Sequence, residues 1–218
     1  MRTTGLYAIL DVDAFRSRGV DLARPSVAEQ IAEAMLSGGA TALQLRAKHE
    51  SGRDTLALLR RLRPVARSAA VPFFANDRVD LAVLAEADGV HVGQEDLALE
   101  DVRRISRSLL VGVSTHDPVQ LSIAAAQAPD YLAYGPVFGT RSKERPDPTV
   151  GVEGVAEAVR LVEGRPLVVI GGIDRESLAR VHAAGARWVA VISDLCAVRD
   201  GAPDLPEIER RARAFEAA

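Results

Sequence analysis

The chain has 218 residues, 48% of them apolar and 26% charged, with a formal net charge of −3. That length suits one sizeable core, and the slight acidity argues against a nucleic-acid footprint, which needs a basic domain or stripe. The single cysteine, Cys196, excludes an internal disulfide framework and a cysteine-based zinc cluster.

The N-terminus, "MRTTGLYAILDVDAF", carries one early Arg, a short apolar run broken by Asp11 and no small-residue cleavage pattern, so no secretion signal is expected. No apolar segment approaches the ~20 residues that a bilayer span requires. The expectation is a cytoplasmic protein with no membrane partner. Cys196, between Leu195 and Ala197 just past an apolar run, reads as a packed side chain rather than a nucleophile.

Short apolar runs alternate with amphipathic stretches along the whole chain, without a linker or low-complexity tract. Strands are expected near Leu6–Asp11, Thr41–Leu45, Pro72–Ala75, Asp88–Val92, Leu109–Val113, Asp130–Tyr134, Pro166–Ile170 and Arg187–Ile192. Helical patterns follow at Ser26–Leu36, Asp54–Ser68, Arg78–Glu86, Leu99–Ile105, Pro118–Gln127, Val152–Val162, Arg175–Ala183 and Pro206–Phe215. Pro25 and Pro118 sit where a first helical turn accepts proline, and Gly38, Gly39, Gly164 and Gly185 sit where helices end. The strand runs are continuously apolar, the pattern of a parallel sheet buried on both faces. The expected architecture is therefore α/β, a single (βα)8 barrel domain over residues 1–218, with an open doubly wound sheet as the alternative. In such a barrel, chemistry belongs at the C-terminal ends of the strands.

The residues at those ends are unusual in composition. Of 27 basic residues only Lys48 and Lys143 are lysine, and Asn76 is the only asparagine. A lysine that survives such drift toward arginine suggests a position wanting a compact ammonium. In "TALQLRAKHE", strand alternation puts Gln44, Arg46 and Lys48 on one side and Leu43, Leu45 and Ala47 on the other. The apolar set can pack under helices, leaving the polar set at the barrel mouth as an anion site.

Asn76 and Asp77 follow the third strand and Asp96 the fourth. Each could cap the next helix. Two carboxylates on neighbouring strand ends, facing Arg46 and Lys48, also suggest a Mg²⁺ completed by phosphate oxygens and water. Ser114, after the fifth strand, either meets a ligand or caps a turn. His49, His91, His116 and His182 have no partner spaced for a metal site, and His91, within a strand, reads as a satisfied structural histidine. The longest connection, "YGPVFGTRSKERPDPTVG", brings Thr140, Ser142 and Lys143 to the same mouth. Gly171 and Gly172 after strand seven, and Ile192 and Ser193 after strand eight, suit a metal-free phosphate site.

Taken in order, "LQLRAK", "NDRVDLA", "ADGVHVGQEDL", "VGVSTHD", "YGPVFGT", "SK", "VVIGGI" and "VAVISD" resemble the motifs of the thiamine-phosphate synthase family over nearly the whole chain. The resemblance implies a magnesium-dependent transferase of thiamine biosynthesis. It would couple a hydroxymethylpyrimidine diphosphate to a thiazole phosphate, or its carboxylated form, and release pyrophosphate. It further implies that Gln44, Leu45, Arg46, Ala47, Lys48, Asn76, Ser114 and Lys143 bind the pyrimidine diphosphate, and that Asp77 and Asp96 hold Mg²⁺. Thr140, Arg141, Ser142, Gly172, Ile192 and Ser193 would bind the thiazole phosphate. Arg46, Lys48, Lys143 and Ser114 would carry the chemistry, with dissociative loss of pyrophosphate and no general base.

Two departures from the family pattern stand out. Ser142 replaces a commoner Thr and keeps its hydroxyl, and "ILDVD" replaces a commoner Thr-Asp ending of the first strand, at no position assigned a role. The partners implied are two small phosphorylated substrates; a homo-oligomer is left open. The competing readings are the thiazole tautomerase branch of the same superfamily, whose members carry a histidine where this chain has Pro136, and a non-catalytic phosphate-binding barrel. A phosphosugar isomerase or epimerase would want a central base, and none is found.

Overall fold

The computed structural model of the chain describes residues 2–140 and 147–215. Eight parallel strands close into a barrel in sequence order: β1 (Gly5–Asp11), β2 (Ala42–Arg46), β3 (Phe73–Asn76), β4 (Gly89–Val92), β5 (Leu110–Thr115), β6 (Tyr131–Tyr134), β7 (Leu167–Ile170) and β8 (Trp188–Val191). β8 returns to pair with β1, so no edge is left open. The barrel is realised and the open sheet is not. Among the described residues no helix is long and apolar enough to cross a membrane.

Helices α1 (Val12–Arg16), α2 (Val27–Ser37), α3 (Gly52–Ser68), α4 (Val79–Leu84), α5 (Leu99–Ile105), α6 (Pro118–Ala126), α7 (Gly151–Leu161), α8 (Leu178–Ala183) and α9 (Leu205–Arg213) surround it. Local chemistry sets several of their starts. Asp117 accepts from the Gln120 amide at 2.8 Å with Pro118 in the first turn, and Ser51 accepts from the Asp54 amide at 3.2 Å. Pro25 differs from expectation. It precedes a capping residue, Ser26, held at φ 63, and so lies outside the helix. Three elements carry no advance signal: α1, too short to show a helical repeat, and the two-residue strands β9 (Val198–Arg199) and β10 (Ala202–Pro203), which pair as a hairpin before α9.

Strand alternation divides the core in two. Leu43, Leu45, Phe73, Val90 and Val111 face outward under the helices, while Tyr7, Ala42, Phe74, Tyr131, Val168 and Trp188 fill the interior. Four of these are aromatic, with ring centroids 5.3 to 5.8 Å apart in stacked, tilted and edge-on contacts. Rings this large fit because their neighbours are small. A Cβ on Gly89 would meet the Phe74 ring at 2.5 Å, and one on Gly112 would meet Tyr131 Cζ at 2.0 Å. These glycines leave space for rings in a close-packed barrel that has no voids to absorb an extra methyl.

A Gly112→Ala substitution is therefore expected to overpack the interior and cost roughly 1–3 kcal/mol. Urea unfolding should show a lowered midpoint at unchanged slope.

Candidate active site

Parallel pairing puts the C-terminal ends of β1 to β5 side by side; β1, β2, β3 and β5 end in Asp11, Arg46, Asn76 and Thr115, and β4 ends in Val92 with Asp96 following in the loop. β1 ends in Asp11, directly across the ladder from Arg46 at the end of β2. Asp11 is 2% exposed and forms an ion pair with Arg46 Nη1, while its Oδ1 accepts from the Ala14 amide at 2.7 Å. The Arg46 side chain is thus held by a buried carboxylate at the rim. Sequence reading assigned Asp11 no role. The available signal was the rule applied to Asp77 and Asp96, a carboxylate just where an apolar strand ends.

Two residues beyond β2, Lys48 Nζ forms an ion pair with Asp77 Oδ2, from the end of β3. Asp77 also contacts the Asp96 carboxyl across the mouth of β4. Asp77 has φ 60, a left-handed conformation that aspartate adopts at some cost. Its amide donates to the His91 carbonyl at 2.8 Å, and Asp96 Oδ2 accepts from the Gly93 amide at 2.8 Å. The simple capping reading fails for all three polar residues here. The cap of α4 is Arg78 and that of α5 is Ala98, so Asn76, Asp77 and Asp96 do not cap helices.

Burial first, and the neighbouring Asp96 carboxyl after it, hold the Asp77 carboxyl above the usual aspartate range even though Lys48 pulls it down. Two carboxyls sharing one place, with a hydrogen-bonded backbone beneath them, are an oxygen donor pair suited to a hard divalent cation. Such an ion would relieve the repulsion that keeps Asp77 high.

Deeper in the barrel, Gln44 Nε2 donates to Tyr7 Oη at 2.8 Å, as inward orientation of that strand face predicts. Ser114 does not cap a turn. Its Oγ lies 2.8 Å from His91 Nε2, and the other ring nitrogen of His91 lies 2.9 Å from Tyr131 Oη. Leu45 and Ala47 face the helix side, so their part in ligand binding is limited to backbone atoms.

The second proposed anion site follows β7 and β8. Gly171 and Gly172 take φ 102 and 64. A Cβ on either would collide with the connection after β6: Pro136 Cβ at 2.4 Å from the first, and the Gly139 carbonyl oxygen at 2.5 Å from the second. Val137 and Phe138 amides donate to the Ile170 and Gly171 carbonyls at 2.9 Å. The glycine pair thus clamps the β6 connection, a packing reason for these glycines beyond phosphate approach. The clamp holds Gly139, the residue before Thr140, against Gly172, while Ser193 opens the short 3-10 turn Ser193–Leu195 beyond Ile192. Arg141, Ser142 and Lys143 lie outside the described residues.

Other candidates lose chemical appeal. Burial pushes the Cys196 thiol up to about 12, and its sulfur donates to the Ile192 carbonyl at 3.4 Å, which is packing rather than nucleophilic chemistry. A cavity of about 520 Å³ between α6 and α7, bordered by His116, Glu153 and Arg160, shares no lining residue with the rim just described.

A closed (βα)8 barrel that gathers cations and carboxylates at the C-terminal ends of adjacent strands has the site architecture of a barrel enzyme acting on phosphorylated substrates. The thiamine monophosphate synthase family model matches residues 20–195, and the chain belongs to that family. It is 46% identical over 193 residues to a thiamine-phosphate synthase from Koribacter versatilis, covering 87% of this chain and 88% of that one. To a thiamine-phosphate synthase from Thermus thermophilus it is 44% identical over 183 residues, 84% of each chain. Among solved structures, a thiamine phosphate pyrophosphorylase from Pyrococcus furiosus superposes with TM-score 0.79 at 30% identity, covering 98% of this chain and 94% of that one. A structure described as native KDPGal, at 16% identity and TM-score 0.69, shares the fold alone.

Two outcomes follow from the rim geometry. In Asp11→Asn, Arg46 loses the charge of its buried partner; stability should fall by about 2–3 kcal/mol, read from denaturant midpoints. For Asp77, a folded pKa raised above the unfolded value means that ionisation costs stability as pH rises through it. Asp77→Asn should therefore raise the metal-free melting temperature at neutral pH, with the gain vanishing below about pH 3, where the carboxyl is protonated in both states.

Proposed function

We propose that this chain is a thiamine-phosphate synthase, joining a hydroxymethylpyrimidine diphosphate to a thiazole phosphate with release of pyrophosphate. Membership of the family carries the reading, and the paired charges at the ends of β2, β3 and β4 support it. In the reaction the bond between the pyrimidine's CH₂ carbon and the diphosphate oxygen breaks, its electron pair leaving with pyrophosphate. The aminopyrimidine stabilises the cation, and the thiazole nitrogen supplies the electron pair of the new C–N bond.

The residues fit this work by charge and by placement. Arg46, held by Asp11, has five donors and gives one through Nη1 to that carboxylate, so its other N–H groups suit diphosphate oxygens. Lys48, half-exposed and paired with Asp77, is a point charge able to turn from that carboxylate to a phosphate. Asp77 and Asp96 are the residues that would hold Mg²⁺, which when bound supplies charge neutralisation on the leaving group. Asn76 and Ser114 border the pyrimidine side of the mouth, with Gln44 below. Thr140, Gly172, Ile192 and Ser193 would take the thiazole phosphate, joined by Arg141 and Ser142 from outside the described residues. Lys143, from the same stretch, would join the diphosphate contacts. Alignment of the two substrates lowers the barrel's remaining task to positioning. A cytoplasmic location accompanies the reading.

The test is purified protein with both substrates, with and without Mg²⁺, following thiamine phosphate by fluorescence after oxidation. Product is expected only with both substrates and the metal. Formation without metal would remove the role of the two aspartates, and none in any condition would reopen the tautomerase and binding alternatives. Replacing Lys48 or Lys143 with Ala should lower turnover on the order of 10²-fold, the loss of one electrostatic stabiliser.

A further inference from the structure

The polar groups inside the barrel form one continuous chain. Gln44 Nε2 donates to Tyr7 Oη at 2.8 Å, Tyr7 Oη meets Tyr131 Oη at 2.9 Å, Tyr131 Oη meets His91 Nδ1 at 2.9 Å, and His91 Nε2 meets Ser114 Oγ at 2.8 Å. It runs through β2, β1, β6, β4 and β5, and its two ends are residues placed above in the pyrimidine site. We infer that this chain is a directional relay in which His91, through its tautomer, positions the hydroxyl of Ser114 and couples it to the amide orientation of Gln44. The inference deepens the proposed function and rests on it for the ligand, an aminopyrimidine.

Counting protons gives the direction. Each phenol has one proton to donate, and a neutral imidazole has one N–H. With the Gln44 amide donating to Tyr7, the Tyr7 proton goes to Tyr131 and the Tyr131 proton to His91 Nδ1. The imidazole proton must then sit on Nε2 and point at Ser114 Oγ. That link being filled, the Ser114 proton turns away from His91 and becomes a donor toward the mouth. Turning the Gln44 amide over would reverse every link and point the Ser114 proton back at His91. The orientation at one end therefore dictates the donor at the other, across a barrel interior where Tyr7 and Tyr131 are each 1% exposed. At the buried links among Gln44, Tyr7 and Tyr131 a broken hydrogen bond leaves an unpaired polar group, which makes half-reversed states costly.

The geometry also fixes the imidazole, whose two nitrogens are both engaged, one by Tyr131 Oη and the other by Ser114 Oγ. Ring stacking on Tyr131, with centroids 5.6 Å apart, fixes its plane. An aminopyrimidine offers an amine donor next to a ring-nitrogen acceptor, the pattern that a coupled donor and acceptor pair can discriminate. His91, Tyr131 and Tyr7 are positioning residues, acting through Ser114 and Gln44.

The test breaks the chain at its centre. Tyr131→Phe keeps the ring that packs against Phe74 and Trp188 and removes one hydroxyl. The wild-type His91 ring should give nitrogen-15 shifts of a single tautomer protonated at Nε2, and the variant those of a tautomer mixture. KM for the pyrimidine diphosphate should rise roughly tenfold, with KM for the thiazole phosphate unchanged. Tyr7→Phe, cutting a different link, should reproduce that split and guards against a folding defect peculiar to position 131. Any other protonation pattern in the wild-type ring, or variants that change both KM values alike or neither, would overturn the relay. If the wild-type protein forms no thiamine phosphate, the proposed function falls while the nitrogen-15 spectra still decide the hydrogen-bond direction.

Discussion

Two carboxyls in contact repel, and the rim of this barrel is built to keep Asp77 and Asp96 together regardless. Parallel pairing of β3 with β4 sets their backbones side by side. The left-handed turn at Asp77 and the Gly93 amide on Asp96 aim the two side chains at one point, and Lys48 offsets part of the charge. The free energy stored there is small beside that of the packed core, which tolerates it. What the arrangement gains is preorganisation: under the proposed function, the two carboxylates would stand in place for a cation before any ligand arrives.

The same logic explains the interior. An eight-stranded barrel has room for side chains and nothing else, and here aromatic rings take most of it, with Gly89 and Gly112 yielding the space they need. Toward the mouth, the hydroxyls of Tyr7 and Tyr131 turn the same rings into a polar path, so that one layer both fills the barrel and orients groups at its opening. Packing and chemistry are not separable at that layer.

The glycine pair after β7 and the aspartate after β1 show how local readings can be incomplete. Gly171 and Gly172 suggest phosphate by their spacing alone; they also hold the β6 connection at distances no other residue allows. Asp11 stands at the end of an apolar strand, yet a departure from the family's usual residue drew attention from its position. Its role became visible only with Arg46 across the ladder. His91 was read as satisfied, and it is, but by partners 23 and 40 residues away.

The eight barrel strands and the helices that alternate with them were legible in the sequence, because apolar runs of strand length and amphipathic stretches of helix length recur with local periods that neighbouring residues set. The elements that escaped, α1 and the hairpin of β9 and β10, are too short for a period to repeat. Tertiary structure alone decided that Asp11 pairs with Arg46 and that Gln44 is joined to Ser114 through three intervening side chains, and it gave the expected meeting of Lys48, Asp77 and Asp96 its individual contacts. Those pairings depend on strand register and on which face each residue turns to the barrel axis. Both are outcomes of closing the sheet on itself, and contacts between residues so far apart in the chain leave no trace in any local pattern.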